Sequence, residues 1–407
     1  MAKRFHHPAV PIVLAALLLD SMGFGIVLPV LPDLVVALGQ VDLAEATRIA
    51  GYMLVVYAAA QFFAGPVIGN LGDHFGRRAV LLISTIAFAF DYLLMAAAPT
   101  LAWLFLGRFV AGIAGAVYGP CNAVLADVTE PDKRGAVFGL MGAAFGLGFI
   151  LGPAIGGLMA TLGTRAPFIA AAVLAGLNAC WIYFRLPETL PPERRRAFRW
   201  RDAHIFGAFR PLLHAGGAVW LLVAALLWQI AHQVYPSTWA FWAQIALGWD
   251  AKAIGWSLAA AGIAMATAQV ALTGPAVARF GEARAAVIGM FVGGLSFVGY
   301  VFVSQGWMVY AIIFVSALQG LVYPSMNALL SRMTDAEHQG ALQGGMASIA
   351  SIAAIVGPVA LTQALAFGAD RGWAGGGFTL AALLEFSALL CIVLAVLPRL
   401  RPAEEGA

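Results

Sequence analysis

Twelve continuous apolar segments, each long enough to cross a membrane as a helix, constrain this chain more than any other feature of its sequence. A membrane-spanning helix needs about 20 mostly apolar residues. The segments are rich in Ala, Leu and Gly and lack the alternation of β-barrel strands, so we predict an all-α membrane protein with twelve transmembrane helices. Their approximate limits are 8–31, 48–71, 79–98, 101–126, 135–162, 166–186, 214–245, 253–278, 284–304, 306–332, 341–368 and 374–397.

Composition excludes most other classes of protein. Of the 407 residues, 62% are hydrophobic and 11% are charged, whereas a soluble domain has about 45–50% apolar and about 25% charged residues. Such a chain has too little polar surface for a soluble enzyme and too much apolar surface for a disordered protein. The three cysteines lie far apart without ligand spacing, so we predict no disulfide and no metal site. No Walker or Rossmann glycine pattern is present, so no cofactor is expected.

The basic residues predict the orientation of the chain in the membrane. Of the 23 Lys and Arg residues, 18 lie on the side of the N-terminus, and the positive-inside bias places that side in the cytoplasm. Both termini are then cytoplasmic, and the net charge of +3 is a signal of topology rather than of nucleic-acid binding. The 18 residues are Lys3, Arg4, Arg77, Arg78, Lys133, Arg134, Arg185, Arg194, Arg195, Arg196, Arg199, Arg201, Arg210, Arg279, Arg284, Arg332, Arg399 and Arg401.

The chain contains an internal repeat. Residues 115–139 align without gaps on residues 320–344, with ten of the 25 positions identical at an offset of 205. Three further matches follow the same order along the chain: Gly152-Pro153 with Gly357-Pro358 at an offset of 205, and Gly65-Pro66 with Gly274-Pro275 and Gly72-Asp73 with Gly281-Glu282 at an offset of 209.

The repeat predicts two pseudo-symmetric bundles of six helices. Because six is even, the two copies have the same orientation in the membrane, as in the parallel repeats of transporters whose substrate site lies between the halves. We predict an N-terminal bundle over 1–186 and a C-terminal bundle over 214–407. A cytoplasmic loop over 187–213 joins them, and it contains two prolines and a cluster of arginines.

Four motifs stand out in the first repeat: GNLGDHFGRR at 69–78, LGRFVAGIAGA at 106–116, GLGFILGPAIGG at 146–157 and LLDSMGFGIVLPVLP at 18–32. They resemble motifs of the major facilitator superfamily, and within it of the twelve-span drug:proton antiporters. Along nearly its whole length the chain is most similar to the tetracycline efflux proteins of Gram-negative type. The resemblance implies a functional monomer in the bacterial inner membrane, with a major facilitator fold and no enzymatic activity.

The resemblance also implies which residues control the conformational change. In the family, the loop at 69–78 latches the two halves in one conformation, and the helix with the motif at 146–157 bends and limits leakage. A loop whose charges only fix the topology is the alternative for 69–78, and a solvated ion pair is the alternative for the two charges that follow the fourth span. The residues so implied are Asp73, Arg77, Arg78, Asp127, Arg134, Gly152 and Pro153.

Four charged residues lie inside predicted spans, where a charge at the helix centre costs about 2.5–3.5 kcal/mol. We predict that Asp20 is the main proton-carrying group, because a proton and a cationic substrate compete for one carboxyl. Arg108 is its expected partner, and a static ion pair is the alternative. Asp91 matches a functional acid of the tetracycline group, with a structural acid as the alternative. The predicted proton-coupling set is Asp20, Asp91, Arg108 and Glu385.

Uncharged polar residues in both repeats are predicted to line a substrate cavity. As a set they fit a polar cavity, although any single amide could form an interhelical hydrogen bond, worth about 0.6 kcal/mol on average. Four aromatic residues, Tyr118, Trp228, Tyr235 and Trp239, could stack on a flat ligand or simply pack. The predicted substrate-binding residues are Gln61, Asn122, Gln229, His232, Gln233, Gln269 and Asn327.

Two positions depart from the tetracycline group, which has a His in helix 8 and an Asp in helix 9. The aligned residues here are Met265 and Gly293. We therefore hypothesise that Glu385 or His232 supplies a second titratable site, with simple hydrogen bonding as the alternative for His232.

These observations predict a proton-driven efflux antiporter that works by alternating access. Its expected partners are a tetracycline-like small molecule, protons and the lipid bilayer, with no nucleic acid. The alternatives are an exporter of another drug or metabolite, a solute uptake symporter, and a sensor or intramembrane enzyme. No pairing of nucleophile and base supports an enzyme, and no appended soluble domain supports a sensor.

Overall fold

A computed structural model describes residues 7–115, 118–130, 133–198, 219–333 and 339–396. These residues form sixteen α-helices and contain no strand. The helices are α1 (Ala9–Val27), α2 (Leu31–Gly39), α3 (Leu43–Phe75), α4 (Arg77–Ala97), α5 (Leu101–Ala114), α6 (Tyr118–Val128), α7 (Arg134–Met159), α8 (Ala166–Arg185), α9 (Val219–His232), α10 (Val234–Leu247), α11 (Ala251–Ala271), α12 (Thr273–Val301), α13 (Gly306–Ser316), α14 (Val322–Arg332), α15 (Gln339–Ala369) and α16 (Gly376–Cys391).

Twelve helical segments within the described ranges are long and apolar enough to cross a membrane, which confirms the predicted number of spans. Most limits agree with the prediction within a few residues. The largest differences are in the first span, which continues through α2, and in the ninth. The spans are Ala9–Gly39, Leu43–Phe75, Arg77–Ala97, Leu101–Val128, Arg134–Leu162, Ala166–Arg185, Val219–Leu247, Ala251–Ala271, Thr273–Val301, Gly306–Arg332, Gly344–Ala369 and Gly376–Leu394.

Two glycines with positive φ correct the alignment of the repeat. Gly76, with φ of 105°, separates α3 from α4, and Gly281, with φ of 74° and ψ of 162°, interrupts α12. Residues with a side chain rarely adopt such a backbone conformation. The two glycines are 205 residues apart, which is the offset of the other matches. Gly76 rather than Gly72 is therefore the structural counterpart of Gly281, and the expected offset of 209 at this point is wrong.

Three spans are interrupted near their middle within the described residues. A 3₁₀ turn at Leu28–Val30 separates α1 from α2, and Gln233 separates α9 from α10 at the same repeat position, 205 residues later. A second 3₁₀ turn, Ala317–Leu321, separates α13 from α14 and includes Gly320, the repeat counterpart of Gly115 at the end of α5. Interrupted spans leave backbone polar groups unpaired, and transporters use such breaks at their sites.

The chain divides into two compact units. The first contains Met1–Val41, Val56–Ile205 and Asp250–Gly262, and the second contains Asp42–Val55, Phe206–Trp249 and Ile263–Ala407. Each unit thus holds most of one predicted bundle and a short helical segment from the other. The bundle boundaries at 186 and 214 remain a prediction, and residues 199–213 of the predicted loop lie outside the described residues.

In the first unit, α1 packs directly against α7. A Cβ atom added at Gly152 would lie 2.5 Å from the carbonyl oxygen of Met22, and one added at Gly25 would lie 2.8 Å from Cδ of Pro153. A Cβ atom added at Gly148 or Gly156 would lie even closer to a backbone carbonyl oxygen of α1. Small residues spaced four apart therefore bring the two backbones together, as is common between membrane helices.

In the second unit, α16 is the central helix and packs against α9, α12 and α15. Beside it lies a cluster of aromatic side chains from α10, α12 and α16, in which the rings of Tyr300 and Phe378 are 4.8 Å apart and those of Trp242 and Phe378 are 5.0 Å apart. Trp239 belongs to this cluster and is 2% exposed. The structure therefore favours packing over ligand stacking for Trp239.

Candidate functional site

The first unit contains a buried ion pair. Asp91 of α4 is fully buried, and its Oδ2 atom lies 3.2 Å from Nη2 of Arg108 on α5. The same guanidinium group lies 2.7 Å from Sδ of Met95 and stacks over the ring of Tyr57 at 5.9 Å. Asp91 Oδ1 and Arg108 Nε have no hydrogen-bond partner in the described residues. The pair is therefore desolvated but not fully satisfied.

Asp20 of α1 lies in the same unit and has a different partner. Its Oδ1 atom accepts a hydrogen bond of 3.0 Å from the Nδ2 atom of Asn178 on α8. Asn178 is 1% exposed and also donates to the carbonyl oxygen of Ala16 at 3.3 Å. The amide thus holds Asp20 against the backbone of its own helix.

The expected pairing of Asp20 with Arg108 is not what the structure shows. Arg108 reaches Asp91, which precedes it by 17 residues and lies on the adjacent, antiparallel helix. Short connections place consecutive spans side by side, so Asp91 competes for the guanidinium group at close range. Asp20 is left with a neutral partner.

The predicted substrate-binding amides have varied surroundings. Gln61 donates a hydrogen bond of 2.9 Å to the carbonyl oxygen of Gly115, at the end of α5. Asn122 donates to the carbonyl oxygen of Tyr118, one turn earlier in its own helix, at 3.1 Å. Asn327 is half-buried, and its Oδ1 atom has no hydrogen-bond partner among the described residues.

In the second unit, Gln229 and Gln233 are half-buried next to the interruption between α9 and α10, and Gln269 is exposed on α11. Gln233 packs through its Cβ and Cγ atoms against Gly357 of α15. The structure does not bring Gln229, Gln269 and Asn327 into a shared hydrogen-bond network within the described residues. Their role in binding stays a prediction.

The second unit has its own buried polar cluster. Glu385 of α16 is fully buried, and its Oε2 atom lies 3.6 Å from Nδ1 of His232 at the end of α9. His232 Nε2 lies 2.6 Å from Oε1 of Gln319, and the Nε2 atom of Gln319 donates to the hydroxyl of Tyr235 at 3.1 Å. Four side chains from three spans therefore converge at one point.

The two positions that depart from the tetracycline group differ in their surroundings. Met265 is half exposed on α11. Gly293 of α12 faces the buried cluster, because a Cβ atom added there would lie 2.9 Å from Oε1 of Glu385 and 3.1 Å from Cγ of Gln319. The carboxyl group of Glu385 therefore occupies the space next to the backbone of Gly293.

The loop at 69–78 forms an ion-pair network in the first unit. Arg77 Nη2 lies 2.5 Å from Oδ1 of Asp73, and its Nε atom lies 3.6 Å from Oδ2 of Asp127. Arg78 binds the backbone carbonyl of Tyr183 and lies over the ring of that residue. The structure thus brings Asp73, Arg77 and Asp127 together, and their role in the conformational change stays a prediction.

Arg134 is separate from that network. Its Nη2 and Nε atoms donate to the backbone carbonyl groups of Ala126 and Thr129, at 3.0 Å and 3.3 Å. Arg134 therefore satisfies carbonyl groups at the end of α6, where a cation is favoured. The structure places it as a cap of α6 rather than as the partner of Asp127.

Sequence reasoning missed three polar residues. Glu188 accepts hydrogen bonds from the backbone N–H groups of Arg77, Thr189 and Leu190 at 2.9–3.0 Å, so it caps the start of α4 and ties the segment after α8 to it. Asn178 and Gln319 are the other two, and both are nearly fully buried. A single amide inside an apolar span is the signal that could have identified Asn178 and Gln319.

Comparison with known proteins agrees with this architecture. The chain matches the sequence model of the Major Facilitator Superfamily over residues 13–358 and again over 233–407. It is 38% identical over 391 residues to the tetracycline resistance protein, class C, of Escherichia coli, covering 94% of this chain and 95% of that protein. It is 36% identical to the class G protein of Vibrio anguillarum, covering 87% and 90%.

Two solved structures share the fold. The nucleoside transporter NupG superposes with a TM-score of 0.75 at 13% identity, covering 95% of this chain and 97% of that one. The human organic anion transporter MFSD10 superposes with a TM-score of 0.67 at 22% identity, covering 95% and 99%. At such identities the likeness establishes the fold alone, whereas the sequence matches establish the relationship. The chain belongs to the Major Facilitator Superfamily and, within it, to the family of the tetracycline resistance proteins.

Proposed function

We propose that this protein is a proton-coupled antiporter that exports a tetracycline-type drug across the bacterial inner membrane. The observation that carries the proposal is the 38% identity to the class C tetracycline resistance protein over 94% of this chain. Five further relatives at 30–36% identity are also named as tetracycline resistance proteins. Transport rather than catalysis is the activity that this kinship supports.

Proton coupling in the first unit is proposed to centre on Asp20. Arg108 already neutralises Asp91 at 3.2 Å, whereas the hydrogen bond that Asp20 accepts comes from a neutral amide. A carboxyl group without a fixed cation can take up and release a proton, and a cationic substrate can replace that proton. Asp91 and Arg108 then fix the local charge and the packing of α4 against α5.

The proton gradient is sufficient for useful export. One charge moved through about 100 mV supplies about 2.3 kcal/mol. Half a pH unit adds about 0.7 kcal/mol. A total of about 3 kcal/mol supports a drug gradient of roughly 100-fold. A stoichiometry of one proton per drug molecule is therefore enough.

We further propose that both termini face the cytoplasm, in keeping with the distribution of the basic residues. The ion pairs among Asp73, Arg77 and Asp127 then lie at the cytoplasmic surface, where they would break and re-form during alternating access. The direct backbone contact of Gly152 with α1 supports a role for α7 in sealing the pathway. A single chain is the proposed functional unit.

The function can be tested in a drug-sensitive bacterial host that lacks its own efflux pumps. We expect the wild-type chain to raise the tetracycline concentration that stops growth, and Asp20→Asn to abolish that protection at equal expression. Glu193→Gln, an exposed acid in the segment after α8, is the matched control and should protect like the wild type.

Direction-resolved flux in everted membrane vesicles completes the test. Drug accumulation driven by an imposed inward-acid gradient identifies export in exchange for protons. Protection against other amphipathic drugs without any against tetracycline would overturn the proposed cargo. Accumulation in the opposite direction would identify an uptake symporter.

A further inference from the structure

Glu385 is a buried acid that the polar contacts around it leave unsatisfied. It is 0% exposed, and neither carboxylate oxygen has a hydrogen-bond partner among the described residues. The nearby His232 Nδ1 atom, at 3.6 Å from Oε2, is within ion-pair range but too far for a hydrogen bond. An unpaired carboxylate in such surroundings is strongly disfavoured. Glu385 therefore requires either a proton or a positive charge beside it.

His232 is the group that can supply either. Its Nδ1 atom lies 2.9 Å from the carbonyl oxygen of Trp228, and its Nε2 atom lies 2.6 Å from Oε1 of Gln319. Carbonyl oxygens only accept hydrogen bonds, so a ring nitrogen must carry a hydrogen to bond to either of them, and the ring bonds to both only when it is protonated. A protonated ring would stand opposite an ionised Glu385.

Gln319 and Tyr235 determine which ring nitrogen can exchange its proton. The Nε2 atom of Gln319 donates to the hydroxyl of Tyr235, which turns the Oε1 atom of the amide towards His232. This oxygen keeps the hydrogen on Nε2 of His232 in place. Nδ1 is the ring atom nearer to Glu385, and exchange there requires its hydrogen to leave the carbonyl oxygen of Trp228.

The proton can move within the pair when the two groups close the 3.6 Å between Nδ1 and Oε2 to hydrogen-bond distance. When the Nδ1–H bond of His232 breaks and an O–H bond forms at Oε2 of Glu385, each bonding electron pair stays with the atom that held it. The pair is uncharged overall before and after this step. Loss of the proton to water or to the opposite face leaves one net negative charge in a fully buried position.

Few other ionisable groups face this pair. The helices packed against α16 present His232 from α9, Tyr235 from α10 and Tyr300 from α12. The sequence of α15 contains no ionisable side chain. In the described part of the second unit, no Arg or Lys forms an ion pair with Glu385. The proton is thus held without competition from a permanent cation.

We propose that Glu385 and His232 form a second proton-carrying site, in which the two side chains share one exchangeable proton. In this site Gln319 and Tyr235 are positioning residues, and Gly293 is the position whose missing side chain leaves room for the carboxyl group of Glu385. The inference rests on the proposed antiport function and deepens it, because it gives the second unit a proton site of its own.

Infrared difference spectroscopy of the purified protein tests the site without any substrate. A change of pH should reveal a carboxylic-acid carbonyl band or an imidazolium band that is absent in Glu385→Gln. Glu282→Gln, an acid on α12 that pairs with Arg332 instead, is the matched control and should keep the signal. Identical spectra for the wild type and Glu385→Gln would overturn the proposal.

Transport in proteoliposomes gives a second, independent measurement. We expect Glu385→Gln to lower proton-driven tetracycline exchange by about 100-fold, the scale for loss of a proton-transferring side chain. Gln319→Ala should shift the pH profile of exchange with an unchanged KM for tetracycline, whereas a purely structural role would lower the rate equally at every pH. Wild-type exchange in Glu385→Gln would overturn the site.

The space at Gly293 allows a rescue experiment. A Cβ atom at position 293 points at the carboxyl group of Glu385, so an Asp there places its carboxyl in the same volume. We expect Gly293→Asp alone to impair exchange, because two acids crowd one site, and the double variant Gly293→Asp/Glu385→Ala to recover at least about a tenth of it. A double variant as inactive as Glu385→Ala would count against a requirement for a carboxyl at this point.

These outcomes separate the inference from the proposed function. A wild-type protein that binds the proton spectroscopically but does not move tetracycline refutes the cargo and leaves the proton site intact. If the Glu385→Gln variant exports tetracycline as fast as the wild type, the proposed proton site is refuted and the proposed function stays intact.

Discussion

The buried acids of the two units differ in the partner that each one has. Asp91 lies 3.2 Å from Arg108, which is permanently charged, whereas Glu385 lies 3.6 Å from His232, which can gain or lose its charge. Both acids are fully buried. A fixed cation keeps a carboxylate ionised and the structure rigid, but a titratable partner allows the proton to leave. The comparison teaches that burial alone does not make an acid a proton carrier, because the chemistry of its partner decides.

The largest expected effect is on the fixed pair. Replacing Arg108 by Met leaves the carboxylate of Asp91 buried without its cation, which should lower the free energy of unfolding by about 3–5 kcal/mol. Thermal unfolding in detergent measures the change. The double variant Asp91→Asn/Arg108→Met should recover most of the loss. If Arg108→Met were as stable as the wild type, Asp91 would not depend on its cation, and the distinction drawn between Asp91 and Glu385 would be lost.

Asp20 is intermediate, because its partner is neutral. Removing the amide with Asn178→Leu should destabilise the protein by about 1.5–3 kcal/mol, the range for a hydrogen bond to a charged group. The free energies of unfolding of Asp20→Asn and of the double variant Asp20→Asn/Asn178→Leu show whether the lost stability comes from the contact between these two residues. If the losses of the two single variants add up to the loss of the double variant, then Asn178 does not act through Asp20.

Gln61 tests a smaller polar contact in the first unit. Its hydrogen bond to the carbonyl oxygen of Gly115 crosses between two spans. Gln61→Leu should cost about 0.6 kcal/mol of stability, the average for interhelical hydrogen bonds in membranes. A large fall in tetracycline binding with this small loss of stability would assign Gln61 to the substrate pathway. Unchanged binding would leave it as a structural contact.

Glu385 should have the smallest effect on stability. Because its oxygens accept no hydrogen bond in the described structure, Glu385→Gln removes none. His232, unlike Arg108, can release its proton when the carboxylate is gone, so the free energy of unfolding should change by less than about 0.5 kcal/mol. Thermal unfolding of Glu385→Gln and of Arg108→Met, measured under the same conditions, compares the two losses of stability directly. A loss of several kcal/mol would mean that Glu385 has the structural role proposed here for Asp91.

Part of the candidate site could be predicted from the sequence, and the rest could not. The positions of the buried charges follow from hydrophobicity, since any charged residue within an apolar span is conspicuous. The partner of each charge does not follow from hydrophobicity. The sequence predicts Asp20 as the partner of Arg108, whereas the structure shows Asp91 in that place and Asn178 beside Asp20. The choice of partner depends on how each helix is rotated and on which helix lies next to it.

The internal repeat, too, could be predicted from the sequence only in part. The offset of 205 was visible in residues 115–139, but the counterpart of Gly281 was misplaced by four residues. Only the backbone angles identified Gly76 as the equivalent turn. Glycine-rich loops offer several plausible alignments, because identity among glycines does not report which of them has positive φ.

The sequence by itself determined the class of protein, the number of spans and the duplicated plan, because each depends on apolar length and on residue order, which are local properties that add along the chain. Tertiary structure alone decided which acid is paired with a cation, that Gly293 makes room for Glu385, and that Gln319 aligns His232. Those arrangements join residues from 17 to 92 positions apart, and a few ångströms of helix packing determine whether each contact forms.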